Sequence, residues 1–376
     1  MSELDLVIND INKKYGDGTI RFANEFPKLV RVPTGVFSLD VEIGGGLPKG
    51  RTVMFTGNES TGKTTVAKKA IAQFQTTCKH CIGHIEECGC NSPEPHKAVF
   101  VDMEGAFDPS WFTTLGGNLD ELLLIQPEFA EQACDVVEAL IRTGGVDIIV
   151  IDSIAMMSPA DEIDKSSEDL LVGTHARLVN RMMRSIQAGM NSLGMVNERK
   201  PAVVLINQVR HKVGVMYGSP DTYPGGLGQK FASSITVKFT SRQSERIYNS
   251  SDKKSKDSPP VGITIRFSVE KNKTFIPFRS GLFVLYVDSS EEHGSVKGSV
   301  DTIDQVIQYG VRYGFIEKSG GWFTLCTGNK DYDIQYHGKN GLYDALQEKP
   351  EIVDELAHLI SEKIINDLDT VFIEEE

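Results

Sequence analysis

The sequence lacks any apolar run long enough to cross a membrane, and its first ten residues, MSELDLVIND, lack the basic and apolar segments of a signal peptide. It also lacks internal repeats. Hydrophobic residues make up 40% and charged residues 24% of the 376 positions, which is the composition of an ordinary globular protein. We therefore expect a cytoplasmic protein without a membrane partner, built from one large domain with smaller attachments.

Cysteine is scarce except in one segment. Four of the six cysteines lie within CKHCIGHIEECGC, at Cys78, Cys81, Cys88 and Cys90. In a cytoplasmic protein this clustering indicates a metal site more than a disulfide framework, and the two thiolate pairs could close a tetrahedral site for structural Zn²⁺. The candidate substitute ligands are His80, His84 and His96. Free or redox-active thiols are the alternative interpretation.

Charge is unevenly distributed over a sequence whose net charge is −13. Residues 344–376 contain eleven acidic residues and two lysines, whereas residues 177–242 contain ten Lys or Arg and only two acidic residues. A basic stretch inside an acidic protein is typical of a surface that binds a polyanion, although a solvated basic face would give the same pattern.

Four apolar runs predict buried strands: TVMFT (52–56), AVFVDME (98–104), VDIIVIDS (146–153) and AVVLINQ (202–208). Continuous rather than alternating hydrophobicity is typical of strands covered by helices on both faces, so the predicted fold class is α/β with a mostly parallel sheet. Three of the runs end in polar residues, and we expect these residues to converge at the carboxyl edge of the sheet, where ligands bind.

The stretch GNESTGKTT follows the first of these runs and precedes a helical pattern. Its spacing is that of a phosphate-binding loop, in which backbone N–H groups surround the phosphates and the following helix adds positive potential. Lys63 would reach the β- and γ-phosphates, and Thr64 would bind Mg²⁺. The predicted nucleotide-binding residues of the loop are Gly57, Asn58, Glu59, Ser60, Thr61, Gly62, Lys63, Thr64 and Thr65.

Two carboxylates at neighbouring strand ends are candidates for the chemistry of ATP hydrolysis. Asp152 is predicted to make the second magnesium contact, and Glu104 to orient the attacking water as a general base. Helix capping by Asp152 and an ordinary salt bridge of Glu104 are the competing interpretations.

These segments resemble the RecA family of DNA recombinases over nearly the full length of the chain. INKKYGDGTI, GVFSLDVEIGGGLPKG and GFIEKSGGWF carry the resemblance, and INQVRHKVGVMYGSPDTYPGG (206–226) looks like the second DNA-binding loop of that family. The resemblance implies a RecA-like P-loop ATPase core and helical filaments on single-stranded DNA, with ATP held between subunits. It also implies homologous pairing and strand exchange with double-stranded DNA in recombinational repair.

The resemblance assigns further residues to the ATP site. Gln208 matches the residue that senses the γ-phosphate, and Lys271 and Lys273 match lysines that reach the γ-phosphate across the subunit interface. Asp108 and Trp111 match positions that contact adenine, with Trp111 where the family usually has tyrosine. From the residues alone, the two lysines could be surface groups and Trp111 a core residue.

The resemblance implies two DNA loops, near 158–173 and 209–226. Arg177, Arg181 and Arg184 follow the first loop at a spacing that puts them on one helical face, as a row of phosphate contacts requires. In and after the second loop, the matching positions are Arg210, Val213, Met216, Tyr217, Gly225, Gly226 and Lys230. Cationic and apolar side chains of this kind suit sequence-independent binding of a single strand, while an ordinary polar insertion is the alternative.

The predicted organisation has four parts: an N-terminal oligomerisation helix with a linker (1–33), an ATPase core (34–290) containing the cysteine-rich insert (78–96), a small α/β C-terminal domain (291–365) and an acidic tail (366–376). We expect the tail to compete with DNA for the basic surface. Two alternative functions are open at this stage, a hexameric DNA helicase on the same core and a nucleotide-switched scaffold, although Glu104 argues against a scaffold that hardly hydrolyses ATP.

Overall fold

The computed structural model describes residues 2–16, 19–22, 28–160, 173–194, 197–211, 221–226, 228–249, 258–328, 332 and 334–370, without the side chains of 197, 210, 211, 221 and 367–370. The helices of this part of the chain are α1 (Glu3–Tyr15), α2 (Phe37–Ile43), α3 (Lys63–Thr76), α4 (Pro109–Thr114), α5 (Ala130–Thr143), α6 (Thr174–Ser192), α7 (Gly228–Ala232), α8 (Thr302–Tyr313), α9 (Gly338–Gln347) and α10 (Pro350–Thr370). None of these helices is both long and apolar enough to cross a membrane.

The strands in the described residues form one large sheet and several small ones. They are β1 (Arg31–Val32), β2 (Leu47–Pro48), β3 (Thr52–Gly57), β4 (Ala98–Asp102), β5 (Leu122–Ile125), β6 (Ile148–Asp152), β7 (Ala202–Gln208), β8 (Arg210–His211), β9 (Asp221–Thr222), β10 (Ile235–Ile247), β11 (Gly262–Asn272), β12 (Ser280–Tyr286), β13 (Ile316–Ser319), β14 (Trp322–Leu325) and β15 (Gln335–His337). The eight-stranded sheet has the order β12-β11-β10-β3-β7-β6-β4-β5. Its strands are parallel from β10 to β5, and β11 and β12 add an antiparallel edge.

The central strands are apolar throughout because both faces of the sheet are covered. Every residue of β3, β4 and β6 is buried. Alternate residues of each strand belong to different cores: Phe100 and Val150 pack with α2 and α3, while Val101 and Ile151 pack with α5 and α6. The predicted α/β fold with a mostly parallel sheet flanked by helices is therefore confirmed.

The C-terminal part of the chain has a hydrophobic core of its own. Helices α8, α9 and α10 pack with the three-stranded sheet of β13, β14 and β15. A buried carboxylate ties this unit to the large sheet, because Glu42 of α2 accepts hydrogen bonds from the Tyr309 hydroxyl (2.9 Å) and from the guanidinium groups of Arg279 and Arg312.

The N-terminal helix has the opposite character, since no residue of α1 is buried. Its start is fixed by a capping box in which the Ser2 hydroxyl and the Asp5 carboxylate each accept a hydrogen bond from the other residue's backbone N–H. Leu4 and Val7 remain 63% and 53% exposed, so this helix gains little from packing within its own chain.

Two polar stretches of the sequence lie partly within regular elements. Strand β10 continues through the polar residues after Ser244 to Ile247 and pairs there with β11. The acidic tail predicted from 366 begins within α10, which ends at Thr370. The division into four parts itself stays a prediction.

Candidate functional site

The phosphate-binding loop leaves β3 at Gly57 and enters α3 at Lys63. Gly57 has a φ of +151°, and a Cβ atom there would lie 2.4 Å from the carbonyl oxygen of Phe239 on the neighbouring strand. Gly62 has a φ of +86°, and a Cβ atom there would lie 2.4 Å from Ile265 Cδ1. Both positions therefore require glycine, and the loop can turn tightly enough to direct its backbone N–H groups inward.

Lys63 is folded back onto this loop. Its Nζ donates a hydrogen bond of 2.6 Å to the carbonyl oxygen of Asn58, and the Thr61 hydroxyl donates to the same oxygen at 2.8 Å. Burial lowers the pKa of Lys63, although the charges of Asp152, Glu104 and Glu59 oppose this effect. A buried ammonium group whose hydrogen-bond acceptor is a loop carbonyl is ready to exchange that acceptor for a phosphate oxygen.

Thr64 and Asp152 meet at the start of α3. The Thr64 hydroxyl donates a hydrogen bond of 2.7 Å to Asp152 Oδ2 at the end of β6. Burial raises the pKa of Asp152 to about 6, so its charge is poorly compensated by the protein alone. A hydroxyl and a buried carboxylate are hard oxygen ligands of the kind that Mg²⁺ prefers, and the pair therefore fits a nucleotide-bound magnesium ion.

A small cavity adjoins this pair. Its lining includes Thr64, Asp152, Asp102 and Glu104, and Glu104 lies exposed at its rim. Asp102 and Asp152 are register partners at the ends of β4 and β6, so three carboxylates converge at one sheet edge. The Asp102 carboxylate accepts hydrogen bonds from the backbone N–H groups of Ala106 (3.2 Å) and Phe107 (3.0 Å), which fixes the turn that carries Glu104.

The end of β7 connects the phosphate loop to the predicted second DNA loop. Gln208, which is half-buried, is the register partner of Gly57, and the Val209 N–H donates to the Gly57 carbonyl at 3.2 Å. The far end of the loop is anchored through Asn207, whose Nδ2 donates to the Pro224 carbonyl at 3.1 Å and to Gln229 Oε1 at 2.8 Å. Both ends of the segment are thus fixed next to the phosphate loop.

Lys271 and Lys273 lie at the opposite end of the sheet. Lys271 is the register partner of Thr236, which pairs with Met54 near the start of β3, whereas the phosphate loop follows the end of β3. Several residues at a rise of roughly 3.3 Å each separate these two ends of the strand. The ammonium group of Lys271 donates to the carbonyl oxygens of Lys230 (2.5 Å) and Phe231 (3.1 Å), and that of Lys273 to Phe231 (3.3 Å). The structure therefore does not bring them to the phosphate loop of their own chain.

The two residues expected near adenine begin α4. The Asp108 carboxylate is the N-cap, accepting hydrogen bonds from the N–H groups of Ser110 (2.8 Å) and Trp111 (3.1 Å), and these bonds lower its pKa. Trp111 is half-buried rather than a core residue, and Lys297 Nζ lies 6.0 Å from its ring centroid.

The basic row predicted after the first DNA loop lies on α6. Arg177, Arg181 and Arg184 are all exposed, while Leu178 and Met182 between them are buried, so the three arginines share one face. Arg181 already has a carboxylate partner, because its Nη2 lies 2.9 Å from Asp135 Oδ1.

The structure describes only part of the predicted second DNA loop. Arg210 pairs with Thr222 through the backbone in the β8–β9 ribbon, and Lys230 is exposed on α7. Gly225 has a φ of +90° and packs beside Val179 of α6, where a Cβ atom would lie 2.7 Å from that side chain; Gly226 also has a positive φ. Val213, Met216, Tyr217 and most of 158–173 lie outside the described residues.

The four clustered cysteines come together in the insert. Their Sγ atoms all lie within 4.8 Å of one another, and none forms a disulfide. A tetrahedral zinc–thiolate site with bonds of about 2.3 Å needs sulfur atoms about 3.8 Å apart, so the donor set fits with a small contraction. Backbone hydrogen bonding, chiefly from His80, lowers the pKa of Cys78 to about 6 and favours a thiolate. His80, His84 and His96 do not belong to this group, and Cys134, which lies outside it, is fully buried.

One charged residue of this site was missed in the sequence. Lys68 of α3 is only 3% exposed and lines the cavity with the carboxylates. The sequence feature that could have identified it is a lysine on the apolar face of a predicted helix, next to Ala67 and one turn before Ala72.

Comparisons with known proteins agree with this geometry. The RecA N-terminal domain family matches residues 2–290. "Protein RecA" of Oceanobacillus iheyensis is 35% identical over 357 residues, covering 94% of this chain and 89% of the relative. The proteins of the same name from Kineococcus radiotolerans and Mycolicibacterium gilvum are each 36% identical over 365 residues, covering 96% of this chain and 91% of the relative. The chain therefore belongs to the RecA family of DNA recombinases, which are ATP- and magnesium-dependent enzymes that hydrolyse ATP on DNA.

Proposed function

We propose that this protein polymerises on single-stranded DNA in the cytoplasm, with ATP held at each junction between two copies, and that the filament pairs this strand with homologous duplex DNA. The observation that carries the proposal is the register of β3 with β7. Gly57 of the phosphate loop lies beside Gln208, the residue that begins the second DNA loop. A change at the γ-phosphate can therefore reach a DNA-binding segment through one pair of adjacent strand ends.

The residues at this sheet edge have distinct roles in hydrolysis. With nucleotide bound, Lys63 would exchange the Asn58 carbonyl for phosphate oxygens, and Thr64 and Asp152 would hold a magnesium ion, which would supply positive charge to the phosphates. Glu104, exposed at the rim of the cavity, orients the attacking water and accepts its proton. Asp108 and Trp111 bound the adenine side, where an indole ring can stack on the base.

Lys271 and Lys273 act on the ATP of the neighbouring copy. Their distance from their own phosphate loop supports this assignment, and in the described part of the chain both ammonium groups donate to backbone carbonyl oxygens, those of Lys230 and Phe231, rather than to a carboxylate. Two ammonium groups brought to the γ-phosphate by a second subunit would stabilise charge in the transition state. Hydrolysis then becomes conditional on filament assembly.

Exposed apolar groups support contacts between copies. The helix α1 has no buried residue, and Phe278, next to the two lysines in the β11–β12 hairpin, is 83% exposed. Surfaces of this kind on a soluble chain are typical of protein interfaces.

DNA is bound by the face that carries the α6 arginines and the loop near 209–226. Arg177 and Arg184 are available for phosphate contacts, and Arg181 would exchange Asp135 for phosphate. The basic balance of residues 177–242 supports this assignment, since the rest of the chain is acidic.

Negative-stain microscopy with ATPγS and single-stranded DNA tests the proposal. We expect open helical filaments, together with an ATPase rate that rises when single-stranded DNA is added. Closed rings that unwind a forked duplex would favour the hexameric helicase instead. ATP binding with neither DNA-stimulated turnover nor polymerisation would favour the scaffold and contradict the proposal.

We further propose that the insert binds one structural Zn²⁺ through Cys78, Cys81, Cys88 and Cys90. The convergence of four thiols within 4.8 Å supports this, because the segment has few apolar residues to hold it otherwise. Elemental analysis of carefully reduced protein should find one zinc per chain, and Cys81→Ser should lose it while Cys326→Ser keeps it. Zinc-free protein with an unchanged melting temperature would contradict the assignment.

A further inference from the structure

Lys68 lies one helical turn after Thr64, on the side of α3 that faces β4. Its side chain is 3% exposed, and its ammonium group lies 4.6 Å from the ring centroid of Phe107 and 5.6 Å from that of Phe100. These two rings form one wall of the cavity that also contains Thr64 and Asp152. A full positive charge is thus buried beside the metal-binding pair.

The remaining wall of the cavity is acidic. Asp102, Glu104 and Asp152 contribute carboxylates, yet in the described chain none of them lies within ion-pair distance of Lys68 Nζ. The lysine therefore acts on the group of carboxylates at longer range rather than neutralising one of them. Burial lowers the pKa of Lys68, and the charges of Asp152, Asp108 and Asp102 oppose that effect.

Stability alone does not account for a charge in this position. A methionine of similar length would fill the space between Phe100 and Phe107 without the cost of removing an ammonium group from water. The aromatic rings return only part of that cost through cation–π attraction. The location of the charge, next to carboxylates that must admit a polyanion, indicates a role in ligand binding.

We propose that Lys68 is a positioning residue of the ATP site, whose ammonium group offsets the Asp102, Glu104 and Asp152 carboxylates so that the triphosphate can bind before a divalent cation is present. The inference rests on the ATP site proposed above. The effect is Coulombic, because the positive charge of Lys68 attracts the nucleotide and repels the metal ion. Removing it should weaken metal-free binding more than metal-bound binding.

The test compares ATPγS affinity in excess EDTA and in excess Mg²⁺, measured by calorimetry on the full-length chain. For Lys68→Met, we expect the dissociation constant in EDTA to rise about tenfold while the value in Mg²⁺ changes much less, since one charge at several ångströms contributes on this order. Lys68→Arg keeps the charge and should restore the wild-type ratio of the two constants. Lys69→Met is the matched control, because Lys69 is half-buried on the same helix but lies beside Gly35 and Gln73, away from the carboxylates.

The outcomes separate this inference from the ATP site itself. An unchanged ratio in Lys68→Met would overturn the role of Lys68, as would wild-type protein that binds ATPγS in Mg²⁺ but not at all in EDTA. Equal weakening of both affinities would assign Lys68 to general packing and would also overturn it. Wild-type protein that fails to bind ATPγS even in Mg²⁺ would instead refute the proposed nucleotide site.

Discussion

At the scale of single residues, the buried Asp152 carboxylate is suited to binding a cation, and in the nucleotide-free protein its burial costs stability. Burial raises its pKa to about 6, compared with about 3.9 for an aspartate in an unfolded chain. A carboxyl group with a raised folded pKa destabilises the folded state above that pKa, and the cost disappears as the pH falls through 6 toward 4. The single hydrogen bond from Thr64 is not enough to cancel it.

Asp152→Asn should therefore stabilise the nucleotide-free protein in EDTA by about 1–2 kcal/mol near neutral pH, with the difference shrinking to zero near pH 4. Urea unfolding over this pH range measures the change, and Asp120→Asn, at an exposed position, serves as the control. The same variant should lose the stabilisation that ATPγS and Mg²⁺ give to the wild type. Parallel pH profiles for variant and wild type would show that Asp152 carries no such cost.

Glu104 is expected to contribute much more to hydrolysis than to nucleotide affinity, because water at the rim of the cavity screens its exposed carboxylate. Glu104→Gln should slow DNA-stimulated ATP hydrolysis by roughly 10²-fold or more, the usual contribution of a general base, and leave ATPγS affinity within about threefold. Glu128→Gln, a substitution at an exposed position in the segment after β5, should hydrolyse ATP at the wild-type rate. A Glu104→Gln variant that hydrolyses normally would move the base to another residue.

At the scale of elements, the cysteine-rich insert depends on one buried carboxylate of the sheet. Asp147, just before β6, lies 2.6 Å from Lys49 Nζ and 3.1 Å from Lys79 Nζ, and it accepts a hydrogen bond of 2.8 Å from the Lys97 N–H. The close approach of the His96 imidazole, whose Nδ1 lies 3.3 Å from Asp147 Oδ1, and the charge of Lys49 hold the pKa of Asp147 well below its usual range in spite of its burial. Lys79 and His96 belong to the insert, so its two ends are fixed to the sheet at one point.

Asp147→Ala should destabilise the protein by about 3–5 kcal/mol, because it leaves the buried ammonium group of Lys49 without its partner. Urea unfolding at neutral pH gives the value. Replacing both partners, as in Asp147→Leu with Lys49→Met, should recover most of the loss. A loss below about 1 kcal/mol for the single change would mean that solvent already screens the pair.

The sequence predicted elements whose signal lies within one segment, and it could not predict contacts between residues that are far apart in the chain. The apolar runs at 98–104, 146–153 and 202–208 identified the buried strands β4, β6 and β7, because burial on both faces leaves a signal within each run. The contacts of Glu42 with Arg279 and Arg312 leave no such signal, since the partners are separated by more than two hundred residues. The role of Lys68 was missed for a related reason, because its neighbours Phe100 and Phe107 lie in another segment of the chain.

At the scale of the whole molecule, the phosphate loop and the two lysines that we propose as the halves of an ATP site lie at opposite ends of one sheet. The phosphate loop follows the end of β3, and Lys271 and Lys273 lie near the start of that strand. A head-to-tail assembly would join the end of one sheet to the start of the next, and it gives an open filament when the rotation between copies does not close a ring. The lysines then belong functionally to the neighbour's nucleotide.

Mixing two inactive variants tests this arrangement directly. Lys63→Ala removes the phosphate-loop half, and Lys271→Ala with Lys273→Ala removes the other, so each protein alone should hydrolyse ATP at least about 10²-fold more slowly than the wild type. In a one-to-one mixture added to single-stranded DNA, random order along the filament leaves about a quarter of the junctions with both halves intact, because each junction combines two independent subunits. We therefore expect the mixture to recover up to about a quarter of the wild-type rate, with the two variants kept separate as controls. If the lysines acted within their own chain, every subunit in the mixture would lack one half, and the rate would stay at the sum of the two separate variants although filaments had formed.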